Sequence, residues 1–284
     1  MIDFHTYPIM IKELIEKDPS LGIHIRDILG FYFPPQPLSV FLYEMDAAGI
    51  EKSVLLPIDC SITHHCKIPS NETIADLVDK NPRFVGFASV DPNSKNSEKE
   101  LNSSITQLGL KGLFLDPAIQ RFGINSKEVT YPLYQICLEL KIPVLIHCGL
   151  NWSPKSLARF ANPLDLEEVA QDFPELKIII SNLGWPWYKE AIMLAMKYRN
   201  IYLDTSVMYS GIPKEMFSHL IGTLIGKGVF ERNLHFQIIY GSNFPRVDMR
   251  RTMRGISAMD FSVDFKKHLF LENALTVLGK EGKS

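Results

Sequence analysis

Eight short apolar runs, each the size of one β-strand, recur along the chain with helical patterns between them. They are Ile2–His5, Ser53–Pro57, Phe84–Val90, Lys111–Leu115, Pro143–His147, Lys177–Ser181, Ile201–Asp204 and Phe236–Gly241. Most are continuously apolar rather than alternating, which is how a strand reads when helices cover both faces of a parallel sheet. The intervening segments carry helical signals. Ser39–Ala48 stops before Gly49, and Glu72–Lys80 stops before Pro82. Tyr131–Leu140 places Leu133, Ile136, Cys137 and Leu140 on one face. Asn162 and Pro163 read as a cap followed by proline at the first helical position, with Asp165 in the first turn. Glu190–Tyr198 and Leu271–Leu278 complete the set.

Eight strands, seven crossovers and a closing helix predict an α/β chain folded as a single (β/α)8 TIM barrel. An open doubly wound sheet is the competitor. No Gly-x-Gly-x-x-Gly follows an early strand, so the chain lacks the signature of a nucleotide cofactor. No linker, repeat or low-complexity run interrupts the pattern, so residues 1–284 are expected to form one domain. The longest connection, about residues 8–38, is expected to be a first βα loop over the barrel mouth. It contains the aromatic stretch Gly30-Phe-Tyr-Phe-Pro-Pro-Gln-Pro37.

Charge removes several classes of partner. The net charge is −2, which supplies no field for nucleic acid or for a polybasic membrane surface. Four cysteines in 284 residues are no disulfide framework. The chain opens Met-Ile-Asp-Phe-His5, unlike a secretory leader. No apolar run approaches the roughly 20 residues needed to span a bilayer. The expectation is a cytoplasmic protein with a small-molecule partner.

In a barrel the chemistry sits at the C-terminal ends of the strands. The first strand ends Asp3-Phe-His5-Thr-Tyr7, and a period of two predicts Asp3, His5 and Tyr7 on one face. The fifth ends in His147-Cys-Gly149, the sixth in Asn182-Leu-Gly184-Trp-Pro-Trp187, the seventh in Asp204-Thr-Ser206, and the eighth in Asn243-Phe-Pro245-Arg246.

These stretches are similar to the amidohydrolase superfamily, in its amidohydrolase-related branch with the aminocarboxymuconate-semialdehyde decarboxylases. The resemblance runs in order through Ile2-Asp-Phe-His5, Asn81-Pro-Arg-Phe-Val-Gly-Phe-Ala-Ser-Val-Asp-Pro92, Leu110-Lys-Gly-Leu113, Tyr131-Pro-Leu-Tyr134 and Pro143-Val-Leu-Ile-His-Cys-Gly149. Leu183-Gly-Trp-Pro-Trp187, Asn200-Ile-Tyr-Leu-Asp-Thr-Ser206, Gly241-Ser-Asn-Phe-Pro245 and Glu272-Asn-Ala274 complete it. It implies a divalent metal, zinc or manganese, at the barrel mouth. The family's ligands are a His-x-His pair on the first strand, a His on the fifth and an Asp on the eighth, with a sixth-strand His as acid/base. Such a cation lowers the pKa of bound water to about 7 or polarises a substrate oxygen. Members hydrolyse C–N or ester bonds, or decarboxylate organic acids without redox chemistry. A homodimer is expected by the same resemblance.

The chain departs from that pattern at three of five positions. His5 and His147 match, but Tyr7 stands at the second His, Asn182 at the sixth-strand His and Asn243 at the eighth-strand Asp. A phenol with a pKa near 10 is a poor zinc ligand, and an amide carries no charge and takes no proton from water. Two imidazoles fall short of the three protein ligands of a catalytic zinc. Metal at His5 and His147 is therefore expected to be weak, rebuilt from other residues or absent. Candidates for rebuilding are Asp3, Asp116, Asp204 and Asp59-Cys-Ser-Ile-Thr-His64-His65-Cys66. The spacing of that last stretch fits no standard zinc motif, and a polar loop with buried thiols also accounts for it.

Three readings follow. The first is a hydrolase or decarboxylase of a small organic acid with an altered metal site. His5, Tyr7, His147, Asn182 and Asn243 would carry the chemistry, while Arg246, Trp187 and Asp116 would bind substrate, Arg246 by holding its carboxylate and Trp187 as a pocket wall. The second is a metal-free enzyme whose His, Tyr and Asn side chains stabilise an oxyanion. The third is a non-catalytic barrel that binds a ligand. His24, His219, His235 and His268 fall on outer segments and receive no role.

Overall fold

The computed structural model describes residues 1–279, so residues 280–284 of the expected domain lie outside it. Eight parallel strands form the barrel: Ile2–Thr6, Lys52–Leu55, Phe84–Gly86, Leu113–Leu115, Val144–Ile146, Ile178–Ile180, Ile201–Asp204 and Ile238–Ile239. All eight expected strands are present, with cores shorter than their apolar runs. The barrel closes through Phe4 N to Tyr240 O at 2.9 Å and Tyr7 N to Phe244 O at 2.8 Å. Its other seam is bridged by Ala88 N to Gly112 O at 2.8 Å and Phe114 N to Ala88 O at 2.7 Å.

Two packed layers explain the continuous apolar runs. Val54, Val85, Phe114, Leu145, Ile179, Tyr202 and Ile239 fill the barrel. Alternate residues such as Leu55, Leu113, Val144, Ile178, Ile201 and Ile238 pack against the outer helices. Each strand therefore buries both faces.

The first strand breaks this alternation. Asp3 pairs with Ser53, but Thr6 pairs with Leu55, so three steps on one strand match two on its neighbour. This bulge puts Asp3 and Thr6 on the face shared with Ser53 and Leu55. The expectation that Asp3 shares a face with His5 and Tyr7 is thereby corrected. Phe4 meets Phe87 edge-on inside the barrel, while His5 and Tyr7 both face Phe114 above it.

The segment expected as a first loop carries two helices, Lys12–Lys17 and Pro19–Leu29. Asp18 caps the second by accepting from Ser20 N at 3.0 Å, and Gly30 ends it at φ 63°. Phe31 is buried, whereas Tyr32 and Phe33 are exposed. An antiparallel hairpin, Ile58–Cys60 with Cys66–Ile68, follows the second strand. The helix Ser97–Thr106 is a further addition, too polar to announce itself by periodicity. Asn162 caps a 3-10 turn by accepting from Leu164 N at 3.0 Å, as its sequence implies. Among the described residues no helix is long and apolar enough to cross a membrane.

Candidate active site

At the C-terminal ends of the strands the polar side chains form one connected network. Asp204, fully buried, accepts from His5 Nδ1 at 2.8 Å. Its other oxygen accepts from the backbone N–H groups of Asn182 and Ser206, each at 2.9 Å, and from the Ser206 hydroxyl. Burial opposes the charge, but His5 and the Ser206 hydrogen bonds outweigh it and hold the Asp204 carboxyl below its ordinary range. An ionised Asp204 fixes the proton on His5 Nδ1 and leaves Nε2 facing the Tyr7 hydroxyl at 2.9 Å. Burial, reinforced by the nearby Asp116 carboxyl, pushes the Tyr7 phenol well above its ordinary value, so it keeps its proton.

A second branch runs through His147. Its Nε2 meets the Asn182 side-chain amide at 2.9 Å, and that amide also contacts Ser206 Oγ at 2.9 Å. His147 Nδ1 is buried and, among the described residues, has no hydrogen-bond partner; it lies 3.9 Å from Asp116 Oδ2. Burial pulls the His147 pKa below its ordinary value, which favours the neutral ring. Asp116 accepts from Ile119 N at 3.1 Å and Asn151 Nδ2 at 2.6 Å, and burial pushes its carboxyl up.

The two asparagines answer a backbone requirement as well as a chemical one. Asn182 sits at φ 57° and Asn243 at φ 63°, the left-handed region that Asn tolerates better than most residues. Asn243 donates from Nδ2 to Ser206 O at 2.9 Å and from its backbone to His5 O at 3.0 Å, locking the eighth-strand turn onto the first strand. Gly149 is equally constrained: at φ 103° a Cβ would stand 2.2 Å from Trp185 O.

A narrow cleft, partly open to solvent, lies above the network. Tyr7, His147, Asn243, Asp116 and Arg246 line it, and His5 and Asn182 sit one contact behind. Arg246 is half-buried. It donates to Leu29 O at 2.7 Å and lies over the Phe31 ring at 5.5 Å, and among the described residues it makes no ion pair. Trp187, expected as a pocket wall, does not line the cleft. It stands at the start of the helix Tyr188–Lys197, where its carbonyl accepts from Ala191 N at 3.1 Å. The aromatic wall is Trp152, held by Nε1 to Met208 O at 3.3 Å. Trp152 and Asn151 were missed by sequence reasoning, although they directly follow the fifth strand's Gly149.

The mouth residues do not fit the metal that the resemblance implies. His5 uses both nitrogens, on Asp204 and Tyr7, and Asn243 spends its amide on a carbonyl. Asp116 and His147 Nδ1 offer two donors, and among the described residues no mouth group of three potential ligands comes within coordinating reach. The stretch Asp59–Cys66 does not rebuild it. Cys60 and Cys66 face one another at 3.4 Å across their hairpin, with the Cys60 thiol pushed up by that contact and by burial. His64 and His65 lie in the turn, and Asp59 pairs with Lys67 at 3.0 Å. Asp3 is turned to the other face by the bulge.

Comparison with known proteins supplies a frame for this geometry. The chain is 23% identical over 283 residues to 6-methylsalicylic acid decarboxylase from Penicillium expansum, covering 86% of this chain and 84% of that one. An uncharacterised TIM-barrel protein from Bordetella bronchiseptica superposes with a TM-score of 0.73 at 23% identity, covering 98% of both chains. A 5-carboxyvanillate decarboxylase from Novosphingobium aromaticivorans, solved with bound manganese, superposes at 0.65 with 19% identity over 98% of this chain and 95% of that one. The family model described as Amidohydrolase (Amidohydro_2) matches residues 2–280. The chain thus belongs to the amidohydrolase family, on the TIM-barrel fold that its strand pattern implies.

Proposed function

We propose that the protein is a non-redox carboxy-lyase of a small organic acid, with substituted benzoic acids as the first class to test. The observation that carries this reading is the presence, in one cleft, of an unneutralised guanidinium and a proton-bearing phenol backed by a His–carboxylate pair. Arg246 would hold the substrate carboxylate before reaction, or a neighbouring anionic oxygen, by its fork. The decarboxylase relative supports the choice of substrate class.

Loss of CO2 breaks a C–C bond and leaves the electron pair on carbon, where one proton must arrive. Tyr7 would give that proton, and His5 in its charged form would return one from Nε2 to the Tyr7 oxygen. Asp204 stabilises the charged ring and fixes its orientation. The proton is finally drawn from water, so that RCOO⁻ plus H2O gives RH, CO2 and OH⁻. The His147 ring, which lines the cleft, would contact the substrate or its anionic intermediate. No step passes through a mouth metal.

Hydrolysis of an amide, ester or lactone is the second reading. The free His147 Nδ1 beside Asp116 favours it, since that pair can take a proton from water. The deciding experiment incubates the protein with carboxyl-labelled hydroxy- and methyl-substituted benzoic acids and measures labelled CO2. Release by the natural chain and its loss in Tyr7→Phe supports the lyase. Turnover of lactones or esters without CO2 release overturns it.

A further inference from the structure

On the face of the barrel opposite the cleft, one nitrogen each of His235 and His268 and a carboxylate oxygen of Asp264 lie within 4.8 Å of one another. His235 precedes the eighth strand, Ile238–Ile239, and so sits at its N-terminal end. Asp264 lies in the helix Val263–Lys267, and His268 follows one turn later at the i+4 position, on the same helical face. His235 Nε2 approaches Asp264 Oδ2 at 3.2 Å, yet it is buried and among the described residues makes no hydrogen bond.

The surrounding groups settle which nitrogens are free. His235 Nδ1 faces the Glu231 carbonyl at 3.2 Å, so it must donate there. Asn273 donates from Nδ2 to two carbonyls, His235 O at 3.0 Å and Ile238 O at 2.8 Å, which turns its Oδ1 toward His268 Nδ1 at 3.2 Å. His268 Nδ1 therefore also donates. In the neutral rings each lone pair falls on Nε2, and each opposite N–H is anchored to an oxygen, as in metal-binding histidines. Asp264 is 73% exposed and free to swing inward. In a tetrahedral zinc site, bond lengths near 2.0–2.1 Å place ligands about 3.4 Å apart. The three ligand atoms, all within 4.8 Å of one another, must approach by no more than about 1.4 Å to reach that spacing.

We propose that His235, Asp264 and His268 bind a divalent transition metal such as zinc, as a structural clamp distinct from the cleft. Two neutral imidazoles and one carboxylate leave a net charge of +1 and a fourth position for water. The ion would tie the start of the eighth strand to the last helical segment. That segment already holds the strand through Asn273, on the face of the barrel where residues serve stability.

The test uses untagged full-length protein, stripped with chelator and titrated with zinc or cobalt(II) chloride. Bound metal is counted by mass spectrometry, and the cobalt form is followed by its visible absorption. The expected result is one equivalent bound by the natural chain, with a rise in Tm. Binding should weaken at least roughly tenfold in Asp264→Asn and His268→Gln, and be unchanged in His147→Gln. Asp264 is exposed, so its variant keeps the test valid if His268→Gln fails to fold. Absence of binding in the natural chain, equal binding in the Asp264→Asn variant, or loss of the equivalent in His147→Gln overturns the proposal.

Discussion

His5 Nε2 and the Tyr7 hydroxyl stand 2.9 Å apart, His5 on the first strand and Tyr7 one residue past its end. The bulge between Asp3 and Thr6 breaks the strand's register at His5, whose other nitrogen meets the Asp204 carboxylate at 2.8 Å. The contact places a protonated phenol where the resemblance expects a metal ligand.

Tyr7→Phe should therefore separate chemistry from folding. It removes one hydroxyl and leaves His5 Nε2 without a partner, which costs about 1 kcal/mol of stability. The rate should fall about 10²- to 10⁴-fold through kcat, the usual range for loss of a general acid. Steady-state kinetics beside a thermal melt checks it. A parallel loss of fold and rate would mean that Tyr7 is structural.

Arg246→Met should act on binding. A charged hydrogen bond contributes about 1.5–3 kcal/mol, so KM for a carboxylate substrate should rise roughly 10- to 100-fold, with a smaller change in kcat. The same substitution frees Leu29 O and uncovers Phe31, so proteolysis within residues 30–37 should quicken. Unchanged KM would remove Arg246 from substrate binding.

Asn182→Ala should loosen the ring it holds. His147 loses its Nε2 contact and Ser206 loses an amide neighbour, so kcat should drop about tenfold and stability by about 1–3 kcal/mol. Asn182→Gly, which suits φ 57° better, should recover stability without recovering rate. Recovery of both would assign Asn182 to the turn alone.

Asp3 gives a pH signature. Burial raises its carboxyl from 3.8 to about 6, although His5 N and Ser242 N both donate to it. A carboxyl whose folded pKa is raised contributes most below its unfolded value and loses that contribution as pH rises through the folded one. Stability should thus decline between about pH 4 and 6, by up to about 3 kcal/mol at 1.36 kcal/mol per unit. Denaturant melts of Asp3→Asn should lack that decline. The same slope in both proteins would assign it to other groups.

The barrel was legible because strands buried on both faces leave continuous apolar runs, and these survive in Ile178–Ile180 and Val144–Ile146. The bulge was not, since a period of two carries no mark of an inserted residue. The hairpin at Ile58–Ile68 is short and interrupted by polar residues, and the helix Ser97–Thr106 has few apolar positions. At the site, strand ends pointed to His5, Tyr7, His147 and Asn243. Trp152 and Asn151 arrive on a loop whose path depends on Gly149 passing against Trp185 O, a contact between distant segments. Trp187 was misplaced for the same reason: its side of the turn is set by the left-handed run Asn182–Gly184.

The most direct measurement is release of labelled CO2 from substituted benzoic acids in deuterated water, with and without chelator or added manganese. It is run on the natural chain, Tyr7→Phe and Asp264→Asn. The account predicts release with one deuterium at the vacated carbon, the same rate with chelator in Asp264→Asn, whose lower clamp is already weakened, and loss in Tyr7→Phe. Release that chelator abolishes and manganese restores in Asp264→Asn, with Tyr7→Phe still active, would contradict it.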